Sequence, residues 1–163
     1  MTSFQVDVLT EDDWPRLRSI RLSALRDDPL AFLATYEREV SYSEQRWRQE
    51  FSRGEWNVML ASGKDVGIVG ATREPDTPPH ECHLEFLWIA PGSRRAGGAT
   101  FLLRTVLDRL RDSGVRTVWL WILNGNDLAM YLYEQFGFQR TYERQPLPDN
   151  PTRTEERMRL RLS

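Results

Sequence analysis

Apolar residues recur along this chain at two spacings, every second position and every third or fourth, and the changes from one to the other divide it into elements. Phe4, Val6 and Val8 alternate with Gln5, Asp7 and Leu9, which predicts a strand with mainly one apolar face. Thr10-Glu11-Asp12-Asp13 supplies a capping side chain and acid for the first turn of a helix, where Pro15 is tolerated, and Trp14, Leu17, Ile20 and Ala24 mark its inward face. Asp27-Asp28-Pro29 ends it. Leu30 to Val40 has no clean period, although Phe32 and Tyr36 are one helical turn apart. Ser41-Tyr42-Ser43-Glu44 then reads as a capping box before a short helix with Trp47 and Phe51 inward. Trp56 to Ala61 and Val66 to Arg73 predict an antiparallel hairpin around Ser62-Gly63-Lys64-Asp65, followed by an exposed loop over Glu74 to Pro79.

The second half has a different rhythm. His83 to Ile89 is apolar and aromatic except for Glu85, which suits a strand buried on both faces. Ala99, Leu102, Leu103, Val106, Leu107 and Leu110 follow at helical spacing, until Ser113-Gly114 stops the helix. Arg116 to Leu123 is again apolar on both faces. Strand, crossover helix and strand of this kind form a right-handed parallel unit whose ligand crevice lies beyond the carboxyl ends of the strands. Asn124-Gly125-Asn126 makes the next turn, Asp127 to Phe136 a helix, and Phe138 to Arg144 a strand. Pro146, Pro148 and Pro151 mark a long loop before the last strand, Glu155 to Leu162. The expectation is one domain over 1–163, an α/β (α+β mixed) fold with helices on the faces of a mixed sheet.

Composition narrows the class. Six tryptophans, five tyrosines and seven phenylalanines suffice to fill a core at this length, and packing explains most of the tryptophans. Twenty-two basic and twenty-four acidic residues carry a formal charge of -2 without a long like-charge block, so no nucleic-acid or membrane partner is expected. Cys82 is the only cysteine. An internal disulfide or a cysteine-built metal site is thereby excluded, no metal is expected, and a reduced cytoplasmic setting is the natural inference. The N-terminal residues alternate polar and apolar rather than reading as a secretory signal, and no stretch approaches roughly 18 consecutive apolar residues.

The candidate chemistry lies in Ile89-Ala90-Pro91-Gly92-Ser93-Arg94-Arg95-Ala96-Gly97-Gly98-Ala99-Thr100, between the first buried strand and the long helix. Its small residues let a ligand approach the backbone, and it enters a helix whose first N–H groups have no partner of their own. Such a turn suits an anion, most naturally a phosphate, although a glycine pair before a helix also serves a simple tight turn. Arg94-x-x-Gly97-x-Ala99 resembles the R-x-x-G-x-G/A pyrophosphate loop of the GNAT superfamily of acyl-CoA-dependent N-acyltransferases. Asn126-x-x-Ala129-x-x-Leu132-Tyr133-Glu134-x-x-Gly137-Phe138 resembles that superfamily's N-x-x-A-x-x-[LF]-Y-E-x-x-G-F helix, one strand further on. The resemblance spans nearly the whole chain. It departs from the family pattern at Arg95, where glycine is most common, and at Ala99, where alanine is an accepted variant.

The resemblance implies a central, mostly antiparallel sheet of six to seven strands with one parallel pair at the cofactor crevice, and about four helices. It implies acetyl-CoA as co-substrate, with Arg94 and the backbone amides of Arg95, Ala96, Gly97, Gly98, Ala99 and Thr100 at its pyrophosphate. Leu87, Trp88 and Ile89 would pair strand-like with the pantetheine arm, and Asn126 would touch the cofactor from the next helix. Tyr133 matches the tyrosine that in many members protonates the departing thiolate; by itself it would read as core. Glu85 is the candidate base, by itself or through water, and is equally a partly exposed strand residue paired with an arginine. His83 is a weaker candidate, farther from the loop.

Acceptor recognition in the family comes from the segment after the first helix and the last hairpin, which points to Phe32, Tyr36, Glu37 and Tyr142 as lining for a primary amine. Phe32 and Tyr36 fit ordinary core equally, and for Phe32 that is the better reading. The reading is an N-acetyltransferase acting on a small-molecule amine, with a peptide or lysine amine less favoured and a possible homodimer through exposed strand edges. Its rivals are an acyl-CoA-binding regulatory domain without turnover and a protein-interaction module, for which only the arginine-rich tail speaks.

Overall fold

The alternating segments assemble into a single seven-stranded sheet in the order β1-β2-β3-β4-β5-β7-β6. The strands are β1 (Phe4–Val8), β2 (Gly54–Ala61), β3 (Lys64–Thr72), β4 (Glu81–Ile89), β5 (Thr117–Leu123), β6 (Gln139–Leu147) and β7 (Asn150–Arg161). These elements come from a computed structural model that describes residues 2–163. Every neighbouring pair is antiparallel except β4 and β5, which run parallel because a crossover helix separates them.

The helices are α1 (Trp14–Asp27), α2 (Tyr36–Val40), α3 (Glu44–Phe51), α4 (Pro91–Arg94), α5 (Gly98–Asp112) and α6 (Asp127–Gln135). That makes six among the described residues where about four were expected. The two additions, α2 and α4, span 5 and 4 residues and are too short to show a helical period. Before α1, the Asp13 carboxylate accepts from both the N–H (2.8 Å) and the hydroxyl of Thr10 (3.1 Å), as the acidic cap foretold. Ser43 rather than Ser41 caps α3, its hydroxyl accepting from the Arg46 N–H at 3.2 Å. The β2–β3 turn is tighter than expected. Only Ser62 and Gly63, with φ of 50° and 76°, lie outside the strands, the positive-φ pair that a two-residue hairpin requires.

The period-two and period-3.6 faces meet in two apolar layers. On one face α1 and α3 bring Leu17, Ile20, Ala24 and Trp47 against Trp56, Val58, Ile68 and Trp88. On the other, Leu102, Leu103, Val106 and Leu110 of α5, with Tyr133 of α6, cover Met59, Val69, Leu84, Val118, Leu120, Ile122 and Met158. The first layer ends at β4, since α1 and α3 pack against β2 and β3. Beyond it the same face of β5 and β7 carries Trp119, Trp121, Arg157 and Arg159, all part-exposed.

The proline-rich segment is a correction. Instead of a long loop, β6 runs through Pro146 to Leu147 and β7 begins at Asn150, with Pro146 opposite Thr154. β6 is the sheet edge, where an N–H missing from proline costs no ladder bond, and the register slips between Pro146 and Leu147. No helix among the described residues is long and apolar enough to cross a membrane.

Candidate active site

β4 and β5 are paired only over Glu81–Thr117, Cys82–Val118 and His83–Trp119. Past that point the parallel strands fork, and the β5-facing edge of β4 from Leu84 to Ile89 is left without a ladder. On its other side β4 carries a bulge: Trp88 faces Ile68 and Glu85 faces Gly70, so Phe86 and Leu87 find no partner residue on β3 either. Phe86 sits in the left-handed region at φ 59°, a conformation costing on the order of 1 kcal/mol for a non-glycine residue. The extra residue turns two successive side chains, Glu85 and Phe86, toward the α1 face. Glu85 stands opposite Gly70 beside Trp56, and Phe86 packs on the α1–α3 core. The result is an open crevice, edged by unpaired backbone, at the carboxyl end of the parallel pair.

The loop from Ala90 to Gly97 closes the near end. α4 gives it one turn, and Gly97 at φ 82° reverses the chain into α5. The first closed bond of α5 is Phe101 N–H to Gly97 O (3.0 Å), so the amides of Gly98, Ala99 and Thr100 point out of the helix end without intrahelical acceptors. Gly98 is buried. A Cβ there would meet the Ser93 carbonyl at 2.8 Å, and only glycine lets the loop lie this close to the helix. Arg94 folds back to fix the loop rather than reaching outward: its Nε donates to Ile89 O (2.8 Å) and its second guanidine nitrogen to Asp27 Oδ2 (2.5 Å). Trp88 Nε1 donates to the same Asp27 oxygen at 2.9 Å. The indole, then the guanidinium, hold the Asp27 carboxyl below its ordinary range. Arg95 and Ala96 are exposed and leave their backbone at the surface.

At the far end α6 brings in two expected residues. Asn126 caps it, its Oδ1 accepting from Ala129 N–H at 3.3 Å, which leaves the amide nitrogen facing away from the helix. Tyr133 is buried in the apolar layer that also holds Leu84 and Ile89 of β4 and Leu120 and Ile122 of β5, the strands on either side of the fork. Its ring meets Phe138 edge-on at 5.5 Å. Burial alone pushes the phenol above its ordinary value, so it stays protonated.

The α1 face supplies the remaining wall. Glu85 is held by Arg53 through two hydrogen bonds of 2.7 and 3.0 Å, so the arginine partner open to it in the sequence is present. Phe32 stacks on Phe86 with ring centres 4.2 Å apart, and Arg21 lies 4.0 Å from the Phe86 ring on the ring's cation-binding surface. Arg21 in turn grips Glu39 at 2.8 and 2.6 Å, both side chains buried. Arg21 and Glu39 escaped sequence reading: an arginine on the inward stripe of α1 was the available signal. Glu37, the acid singled out in this segment, is exposed. Tyr36 is part-buried, its hydroxyl accepting from Arg26 at 2.6 Å. Tyr142, 69% exposed with φ 62°, projects from β6 under the Arg140 guanidinium and touches no other expected acceptor residue. His83 is half-buried and lies 3.5 Å from Arg157; burial first, and Arg157 second, lower its pKa.

The fork, its unpaired edge and a glycine-lined helix entrance bring free backbone donors and a strand edge together at one end of the parallel pair. Unpaired donors of this kind suit an anionic ligand with an extended, amide-bearing arm. The Acetyltransferase (GNAT) family model matches residues 14–138, and the chain belongs to that family: it is a GNAT N-acetyltransferase that uses acetyl-CoA. The chain is 22% identical to the uncharacterised N-acetyltransferase YdgE of Bacillus subtilis over 85% of its own length and 94% of that protein's. It is 38% identical over 80 residues to the N-alpha-acetyltransferase RimI of Mycobacterium tuberculosis, a match covering 49% of either chain. The fold resembles that of yncA from Salmonella typhimurium, solved with its cofactor acetyl-CoA, at a TM-score of 0.76 and 16% identity over 99% of this chain and 95% of that one.

Proposed function

We propose that the chain acetylates the primary amine of a small molecule by direct attack in a ternary complex. The observation that carries this reading is the fork itself, where the unpaired edge of β4 opens on one side to the amide-lined loop and on the other to the aromatic wall of the α1 face. Bound acetyl-CoA supplies an acetyl thioester already activated toward amines. The amides of Arg95 to Thr100 hold its diphosphate, the backbone of Leu87 to Ile89 pairs with the arm, and Asn126 contributes its amide nitrogen. Tyr133 Oη keeps the proton that the departing sulfur needs. A carboxylate on the acceptor face, Glu85, takes the amine's proton directly or through water.

Direct attack is supported by the state of the one thiol that could carry the acetyl group. Cys82, the only cysteine, is fully buried, and burial pushes its thiol up to about 11, which leaves almost no thiolate at neutral pH. Phe32 stacks on Phe86, and Arg153 donates to Leu30 O at 3.1 Å, contacts that tie β7 and the segment after α1 around the α1 face and support a compact acceptor such as a small amine. A peptide N-terminus is the second reading, favoured by the RimI match over half the chain. Thiol release measured on a panel of small amines and of short peptides tests both. Turnover confined to peptides overturns the small-molecule reading, and binding of acetyl-CoA with no turnover of any amine overturns both.

A further inference from the structure

Two carboxylates face the open sheet surface beside the fork, and they are not equivalent. Glu85 has its charge met by Arg53 through both oxygens. Glu155, in the middle of β7, is 5% exposed and accepts one hydrogen bond, from the neutral amide of Gln145 at 2.7 Å. No cationic side chain lies within salt-bridge distance of it among the described residues. Its neighbour Glu156, on the opposite face, takes both Arg140 and Arg144. Register places Glu155 opposite Leu123 at the end of β5, and with Trp121 and Arg157 one pair further in, on the face that also carries His83 and Glu85. Arg157 is committed elsewhere, with its guanidinium 3.9 Å from the Trp119 ring and 3.4 Å from Glu143. Arg153, two residues before Glu155, donates to the Leu30 carbonyl.

A carboxylate withdrawn from water with one neutral donor is costly, and a cation placed beside it offsets that cost. We propose that Glu155 binds the ammonium group of the acceptor and takes its proton, an assignment that rests on the small-amine reading above. One N–H bond of the ammonium breaks and an O–H bond forms on Glu155, so that a cation and a carboxylate become a neutral amine, with its lone pair free, and a carboxylic acid. The acceptor class that follows is an aliphatic amine, charged in neutral solution, in preference to an arylamine, which enters uncharged and needs no counter-ion.

The test compares benzylamine with aniline, which differ little in shape and greatly in charge at pH 7, in wild type, Glu155→Gln and Glu85→Gln. In Glu155→Gln, kcat/KM for benzylamine falls at least 30-fold, and at least tenfold more than that for aniline, which loses the proton acceptor but no counter-ion. The KM for acetyl-CoA stays put, and the midpoint of thermal unfolding holds or rises, because a buried charge has been removed. Calorimetry of benzylamine against the protein–CoA complex reads binding without turnover, and its Kd rises at least tenfold. A benzylamine kcat/KM within threefold of wild type in Glu155→Gln overturns the proposal, as does an equal loss on both amines with a lowered unfolding midpoint, the mark of a structural residue. Loss of benzylamine turnover in Glu85→Gln with Glu155→Gln unaffected moves the role to Glu85. Wild type that turns over neither amine, yet binds benzylamine in a Glu155-dependent way, overturns the transferase reading of the acceptor and leaves the ammonium site standing.

Discussion

Gly98 puts the donor loop to a quantitative test. A Cβ at this position lies 2.8 Å from the Ser93 carbonyl oxygen, 3.0 Å from Met59 Cε and 3.2 Å from Ile89 Cγ2, where ordinary contact begins at 3.4 Å. The methionine can yield. The carbonyl belongs to α4, and relieving it moves the loop by about 0.6 Å relative to the helix that presents the amides. Overpacking of this kind costs roughly 1–3 kcal/mol. If that cost falls on the bound arrangement of the loop, CoA binds roughly 5- to 150-fold more weakly. Two neighbours separate space from conformation. Gly97→Ala meets nothing within 4 Å but must hold φ 82°, at roughly 1 kcal/mol, and Gly92→Ala meets nothing and needs no unusual backbone. Calorimetry with CoA, together with urea unfolding, gives the expected order of weakening: Gly98→Ala most, Gly97→Ala less, Gly92→Ala within twofold of wild type. Wild-type CoA affinity and stability in Gly98→Ala would refute the claim that this close approach shapes the site.

Three further outcomes follow from contacts already described. Tyr133→Phe lowers kcat about 10²- to 10³-fold with the acetyl-CoA KM unchanged. Because burial raises the phenol above its ordinary value of 10.0, wild type shows no loss of rate from its ionisation below pH about 10; a basic limb near 9 that vanishes in the phenylalanine variant would contradict this. Glu39→Ala strands the buried Arg21 and lowers unfolding free energy by about 3–5 kcal/mol, whereas Arg21→Met with Glu39→Leu recovers most of it, both read by urea titration. Asp27 has a depressed pKa, so its stabilising bonds to Trp88 and Arg94 are present above the ordinary carboxylate value of 3.8 and disappear as pH falls through the folded value. Asp27→Asn is therefore less stable than wild type at pH 7, by under about 1 kcal/mol at this part-exposed site, and the difference shrinks as pH falls through the folded value.

What the residue pattern revealed, and what it hid, divides along sequence distance. The loop over Ile89 to Thr100 and the helix after it were legible because small residues and a 3.6 period are local signals, as was the second helix with Asn126 and Tyr133 in place. The bulge at Phe86 has no such signal: the run from His83 to Ile89 reads as unbroken strand, and the extra residue shows only in the register against β3. The grip of Arg53 on Glu85 joins residues 32 apart in sequence, and that of Arg21 on Glu39 residues 18 apart, beyond the reach of any periodicity. The inward place of Glu39 was not legible because α2 has only 5 residues, too few to declare an inward face. Pro146 and Pro151 misled because proline argues against a central strand but not against an edge and its hairpin partner.

One carboxylate at the end of α1 fastens both halves of the crevice. Asp27 holds the indole of Trp88, whose strand borders the opening, and the guanidinium of Arg94, whose loop presents the amides. The helix carrying Arg21 thus ends on the glycine-rich turn, and any tilt imposed on it from the Phe86 side tugs the far rim through two short tethers.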